Sequence, residues 1–374
     1  MPANTSADDM SIGRLGRDYG EPQPQHRQRI SNKPRHVLRT HLEKDDDIVH
    51  VKSLSESSLL YGLYQFSRPY TILGTILGIT SVSTLALNSW TQVSPFFLLE
   101  VFKAIVPTLF MNIFVVGLNQ IYDVEIDKVN KPYLPLASGV ISMKLGVGVV
   151  VISLIMSLAL GMISGSPALM VALLCFFLLG SVYSLELPFM RWKRDPFLAA
   201  ATIVIARALV VQFAYFIHIQ MYVLGEPLVF SRGVIFAACF MFLFASVISL
   251  FKDIPDVEGD EMHGCKSFSV MLGQERVFWM CINILMAAYG GAMATGVSSS
   301  YLSNIIVTVL GHFSLASLLL YRALQINIST AGSLHGFYMF IWKVSRHVCC
   351  SNLILFQFIL RFNTYIHTLT CVKN

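Results

Sequence analysis

The sequence predicts an all-α membrane protein, a polytopic bundle of about nine transmembrane helices. Three observations carry that prediction. Of 374 residues, 55% are hydrophobic and only 13% charged, with a mean hydropathy of +0.62, whereas soluble domains carry about 25% charged residues. The apolar residues are gathered into long runs, each approaching the roughly 20 residues that cross a bilayer as a helix. Two acidic stretches, at 119–127 and 252–260, each follow directly on such a run.

Residues 1–56 are polar and lack apolar periodicity, with Pro22, Pro24, Pro34 and the acidic run Asp45-Asp46-Asp47. This tail is expected to be disordered. A transit peptide should be poor in acids, yet Asp8, Asp9, Asp18, Glu21 and Glu43 stand among its arginines, so targeting is not read from it directly. The membrane domain is expected over 57–361, with spans at 70–88, 99–119, 143–163, 167–184, 197–222, 233–251, 277–297, 302–320 and a ninth at 336–361, before a short tail at 362–374. The seven cysteines are scattered without a CxxC pair, which implies neither a disulfide framework nor a zinc site. A net charge of +5 is too diffuse to point to nucleic acid.

Crossing parity fixes where the acidic stretches lie. Helices two and six both end on the side of the N-terminal tail, so both stretches face one compartment. Lys128, Lys131, Lys144, Arg191, Lys193, Arg194, Lys252, Lys266, Arg276 and Arg322 fall on that same side, against Lys103 and Arg232 on the other. The positive-inside rule then makes it the cytosolic or stromal face.

Within the first stretch Asn119, Asp123 and Asp127 are spaced by four, one face of a helix continuing from the apolar run. In the second, Asp253, Asp256 and Asp260 are spaced by three and four, and Pro255 is compatible with a helix only near its start. Carboxylates ending a membrane helix often form nothing more than a solvated cap. Two such clusters on one side argue otherwise, since ionisable groups at membrane depth cost roughly 2.5–3.5 kcal/mol each and usually persist for function. Six oxygen-bearing residues facing one another suit a hard cation such as Mg2+ and, through it, a phosphate. Lys131, Arg191, Lys193, Arg194 and Lys252 are the cations placed to share that charge. A ligand anionic at one end and greasy at the other, such as an isoprenyl diphosphate, fits a mouth of this kind opening into an apolar interior. A cation-coupled transporter is the alternative, although transporter carboxylates more often lie near the midplane on broken helices. Arg207 lies deep in the fifth span and is expected to face the protein interior with a partner, while His218 reads as a packed core or boundary residue.

At these residues the chain resembles the UbiA family of intramembrane prenyltransferases. Asn119-Gln120-x-x-Asp123-x-x-x-Asp127 and Asp253-x-x-Asp256-x-x-x-Asp260 match that family's two aspartate-rich motifs. The stretches Asp127 to Gly139, Arg191-Trp192-Lys193-Arg194 and Phe337 to Lys343 are similar to plant homogentisate prenyltransferases and their relatives acting on flavonoids, coumarins and other phenolics. The resemblance, over roughly residues 60–343, implies nine helices around a central cavity, a plastid membrane, a magnesium cofactor, an isoprenyl diphosphate donor and an aromatic acceptor, homogentisate first. It assigns magnesium and diphosphate binding to Asn119, Asp123, Asp127, Asp253, Asp256 and Asp260, with Lys131, Arg191 and Lys252 toward the diphosphate. After Lys343 the chain departs from the family pattern, reading Val344-Ser345-Arg346-His347-Val348-Cys349-Cys350.

Overall fold

The computed structural model describes residues 58–298 and 302–344. The N-terminal tail at 1–56 and the C-terminal segment from 345 onward, including the rest of the expected ninth span, lie outside the described residues. Among the described residues the structure is helical and contains no strand. A short helix, α1 (58–66), leads into α2 (Pro69–Leu85) and α3 (Pro95–Tyr122). A one-residue break separates α3 from the short α4 (Val124–Asn130), and α5 (Met143–Ile163) and α6 (Pro167–Ser184) follow. Next come α7 (Pro196–Val223) and α8 (Arg232–Phe251), then the short α9 (Val257–Met262) and α10 (Phe268–Leu272). The chain returns through α11 (Gln274–Val297) and α12 (Leu302–Gln325) to α13 (331–344).

Seven of these helices are long and apolar enough to cross a membrane, and α2 is a shorter apolar helix of 17 residues. They follow the order of the first eight expected spans with ends within about five residues of the expected ones, and α13 begins five residues before the expected ninth, whose far end lies outside the described residues. The ends are set locally. Ser94, Ser142, Ser166 and Ser231 each accept a hydrogen bond from an amide in the first turn of α3, α5, α6 and α8, supplying a partner to donors that a helix start leaves unsatisfied.

Lipid tails are as apolar as leucine, so close approach rather than hydrophobic burial joins membrane helices. Gly117 on α3 shows the requirement, because a Cβ there would lie 2.6 Å from Val150 of α5 and 2.9 Å from Phe66 of α1. Tyr215 and Thr108 share a hydrogen bond between α7 and α3, and Ser157 on α5 donates to the Pro107 carbonyl at 2.8 Å. One apolar cluster gathers α1 to α3 with α5 to α7, and a second gathers α8 and α11 to α13. His218 is buried and its Nδ1 shares a hydrogen bond with Ser166 Oγ at 2.8 Å, while its Nε2 has no hydrogen-bond partner among the described residues.

Candidate active site

Both acidic stretches arrive at one end of the bundle, as the crossing count requires. The first differs from expectation in its backbone. A continuous helix was expected through Asp127, but α3 stops at Tyr122, and Asp123 leaves helical geometry at φ −106°, ψ 9°. Aspartate is a weak helix-interior residue that prefers partners near helix ends, and this one takes its partners from another segment. Two backbone bonds, Asp123 N–H to Asn119 O at 3.0 Å and Asp127 N–H to Asp123 O at 2.7 Å, preserve the four-residue spacing across the break. Asn119, Asp123 and Asp127 therefore still reach one cavity.

The second stretch is mostly turn. After α8 ends at Phe251, residues 252–256 fold as consecutive turns, and α9 begins only at Val257. Pro255 stands just outside that helix, where no amide hydrogen is needed. Two contacts clasp the stretches together. Lys131 pairs with Asp256, and the Gly259 amide donates to Asn130 Oδ1 at 2.8 Å. A Cβ at Gly259 would lie 2.5 Å from that same oxygen, so glycine is what allows α4 and α9 to meet.

The cavity below this junction has a volume of about 370 Å³. Its mouth is lined by Asn119, Asp123, Asp127, Asp253, Asp256 and Asp260 together with Lys131, Lys193, Lys252 and Arg68, and its wall continues down past Met111, Val115, Phe176 and Leu179 to Arg207 and Trp342. All six predicted ligand residues thus converge, with two of the three predicted cations. Arg191 is the exception. It lies behind the wall, 6% exposed, donating to Ser184 O at 2.7 Å and to Asp123 Oδ1 at 2.8 Å. In the sequence it is indistinguishable from Lys193, two residues on, whose Nζ reaches Asp123 Oδ2 at 2.6 Å from the cavity side. Arg68 was not anticipated at all. It precedes α2 in a left-handed backbone conformation (φ 48°) that turns the chain into the helix, and a lone arginine beside a proline gives no sequence signal of a site.

The electrostatics of the mouth are uneven. Burial would raise the Asp123 carboxyl, but Lys193 and Arg191 outweigh it and hold the group below the ordinary carboxylate range. Burial pushes Asp127 up to about 6 against Lys131 and Arg68. Asp260 is pushed up to about 7 by burial and by Asp253 beside it. Burial disfavours charge on Lys131, yet Asp256 and Asp127 outweigh it and raise its pKa; Asp253 does the same for Lys252, at 2.6 Å. The expected closed cage is not drawn up. Among the described residues no three acidic, histidine or cysteine side chains stand close enough together to hold a metal ion, because Asp123, Asp253 and Asp256 are each turned toward a cation. The donor set itself, five carboxylates and one amide on a shared wall, is all oxygen and suits magnesium.

Residues 77–344 match the family model described as the UbiA prenyltransferase family. The chain belongs to that family. Membership places it among the prenyltransferases and removes the transporter alternative. The match ends at residue 344, one position after Lys343. This UbiA-family chain is 48% identical over 293 residues to homogentisate phytyltransferase 1 of Arabidopsis thaliana, covering 78% of this chain and 74% of that one. It is 50% identical over 285 residues to homogentisate geranylgeranyltransferase of Hordeum vulgare, covering 76% and 70%. A coumarin 8-geranyltransferase of Citrus limon is 46% identical over 285 residues, with the same coverage of 76% and 70%. Among solved structures, a UbiA homolog from Archaeoglobus fulgidus bound to GPP and Mg2+ superimposes with a TM-score of 0.54 at 17% identity, covering 79% of this chain and 99% of that one. At that identity the likeness speaks for the fold.

Proposed function

We propose that this protein transfers a prenyl group from an isoprenyl diphosphate to an aromatic acceptor, with homogentisate as the acceptor and magnesium as the cofactor, in a plastid membrane. The observation that carries the proposal is the convergence of two acidic motifs and three lysines at the mouth of a deep, largely apolar cavity. Relatives named for homogentisate, at 48% and 50% identity, favour that acceptor, and the Arabidopsis relative is named chloroplastic.

Asn119, Asp123, Asp127, Asp253, Asp256 and Asp260 would hold the magnesium. When bound, it supplies Lewis-acid stabilisation to a departing diphosphate. Lys131, Lys193, Lys252 and Arg68 neutralise the remaining phosphate charge, and they do so in a partly dehydrated setting where charge pairing is stronger than in water. The lysines now paired with aspartates are the groups a diphosphate would recruit. Arg191 is a brace for Asp123 and is not assigned to the diphosphate. The apolar wall takes the prenyl chain, and Tyr183, Tyr70 and Tyr338 line the same cavity, aromatic rings of the kind that stabilise an allylic cation. The bond to diphosphate breaks, the electron-rich ring attacks the allylic cation, and the ring then releases a proton to diphosphate or water, or its carboxylate as CO2, to complete the transfer.

The test is an assay on membranes containing the full chain, with magnesium, crossing homogentisate, a flavonoid and a coumarin against dimethylallyl, geranyl, geranylgeranyl and phytyl diphosphates. EDTA-sensitive product from homogentisate is the expected result. Product only from a flavonoid or coumarin would move the acceptor to the other phenolics, and full activity in EDTA would remove the metal.

A further inference from the structure

His335 has no part in the chemistry assigned so far. Along α13 it is followed by Tyr338, Met339 and Trp342 at i+3, i+4 and i+7, one face of a helix, and all four line the cavity. Trp342 stands at the deep end, its ring centroid 5.3 Å from the guanidinium carbon of Arg207. Seven residues earlier, at about 1.5 Å per residue, His335 is roughly 10 Å nearer the mouth. There its ring meets Tyr133 edge-on, 6.1 Å between centroids, and lies within electrostatic reach of Lys131 and Asp256, the pair that clasps the two motifs.

The imidazole is uncommitted. His218, His263 and His312 each engage Nδ1, with Ser166 Oγ at 2.8 Å, Gly259 O at 2.9 Å and Thr308 O at 2.8 Å. Neither ring nitrogen of His335 takes part in a hydrogen bond or ion pair among the described residues. Half-buried and facing the cavity, the ring is open to a ligand. Burial and the Lys131 charge push its pKa below the ordinary histidine value, against the pull of Asp256, so the ring is neutral and carries a free lone pair.

The transfer calls for such a group at this level. The prenyl carbon that is attacked is bonded to the diphosphate, so the acceptor ring must meet it at the mouth, beside Lys131 and the acidic motifs. The wall of Met111, Val115, Phe176 and Leu179 takes the prenyl chain, which leaves the wall of Tyr133, His335 and Tyr338 to the acceptor. As the ring carbon bonds to the prenyl carbon, the carbon–oxygen bond to diphosphate breaks and its electron pair leaves with the diphosphate. The ring is then positively charged, with hydrogen and prenyl group on one carbon. Aromaticity returns when that hydrogen leaves as a proton and its electron pair goes back to the ring. Lys131 and Lys252 are held protonated by their aspartates, and the carboxylates are engaged by lysines or reserved for the metal. We infer that His335 is the base that takes this proton from the acceptor ring and hands it on to the released diphosphate or to water. This rests on the reading of the protein as an aromatic prenyltransferase.

The test uses membranes containing the full chain, with the donor and acceptor that the wild type couples, the acceptor carrying either ring hydrogen or ring deuterium. The wild-type rate is expected to be the same for both, because proton removal follows attack and does not limit it. His335→Gln keeps a polar side chain that cannot take up a proton. Its kcat should fall by about 100-fold, the low end of what a general base contributes, and the deuterated acceptor should now react more slowly than the protiated one. The KM for the prenyl diphosphate should stay within about twofold, since the step lost lies after donor binding. An unchanged kcat, or a loss of kcat with no isotope effect, overturns the inference. Should His335→Gln fail to accumulate, His335→Ala decides, assayed with and without added imidazole, which can enter the vacated space and accept the proton. Recovery of product is expected, and a rate that imidazole leaves unmoved overturns the inference. A wild type that prenylates no aromatic acceptor refutes the reading of the protein as a prenyltransferase before any variant is made, and the role of His335 falls with it.

Discussion

The two acidic motifs look equivalent in sequence, but they are held in different ways. Asp123 of the first is braced from behind the cavity wall by Arg191, and from inside the cavity by Lys193 and the Asn119 amide at 2.6 Å. The second motif takes its cations from the cavity itself: Lys252 for Asp253, and Lys131, borrowed from the first motif, for Asp256. Asp260 sits deepest in unfavourable surroundings, beside two other carboxylates. The first motif is thus partly architecture. The second is held by cations that line the cavity itself.

The largest effect should come from breaking the braced side. Asp123→Ala takes from the buried Arg191 and Lys193 the carboxylate they share, leaving Arg191 only the exposed Glu186 at 3.5 Å, and removing one partner of a buried pair costs about 3–5 kcal/mol. Turnover should vanish and thermal stability in detergent should fall together. Asp260→Asn, equal in size and relieving a carboxylate crowd, should cut turnover by about 10²–10³-fold with the melting temperature held or raised. If Asp260→Asn lost as much stability as Asp123→Ala, the distinction between the motifs would fail.

Next in size is the clasp. Gly259→Ala drives a Cβ into Asn130, and overpacking of this kind costs about 1–3 kcal/mol. Because Asn130 joins the motifs, turnover should drop with stability. The double variant Gly259→Ala with Asn130→Ala removes the colliding side chain, so its stability should exceed the sum expected from the singles, as coupled neighbours do. Simple additivity in a thermal melt would mean that α4 and α9 do not meet through these residues.

How much of this was legible depends on the range of the signal. The bundle, its order of spans and the common side of the motifs follow from run lengths, parity and loop charge, all of which are local. The six ligand candidates were legible because i, i+3 and i, i+4 spacing survives even where the helix does not: Asp123 breaks α3, yet the backbone bonds to Asn119 and from Asp127 keep the register. What escaped was direction. Arg191 and Lys193 lie two residues apart in a short 3-10 segment and its cap, and no periodicity says that one faces the cavity and the other the protein behind it. Arg68 and the partnership of Arg207 with Trp342 are contacts between segments far apart in sequence, which spacing rules do not reach.

The smallest predicted effect sharpens the same comparison. Arg191→Lys keeps a positive charge but gives up the planar fork that bonds Ser184 O and Asp123 Oδ1 together. Asp123 retains Lys193, so the carboxylate stays ionised and in the cavity. The expectation is a stability loss on the order of 1 kcal/mol with the KM for the prenyl diphosphate little changed. Lys193→Ala should do the opposite, raising that KM several-fold, since it removes a cation the phosphate would meet. Steady-state kinetics on the two variants, read beside their melting curves, separate brace from ligand. Were Arg191→Lys to raise the donor KM as much as Lys193→Ala, Arg191 would have to leave its place behind the wall when substrate binds, and the first motif, like the second, would be held from the cavity alone.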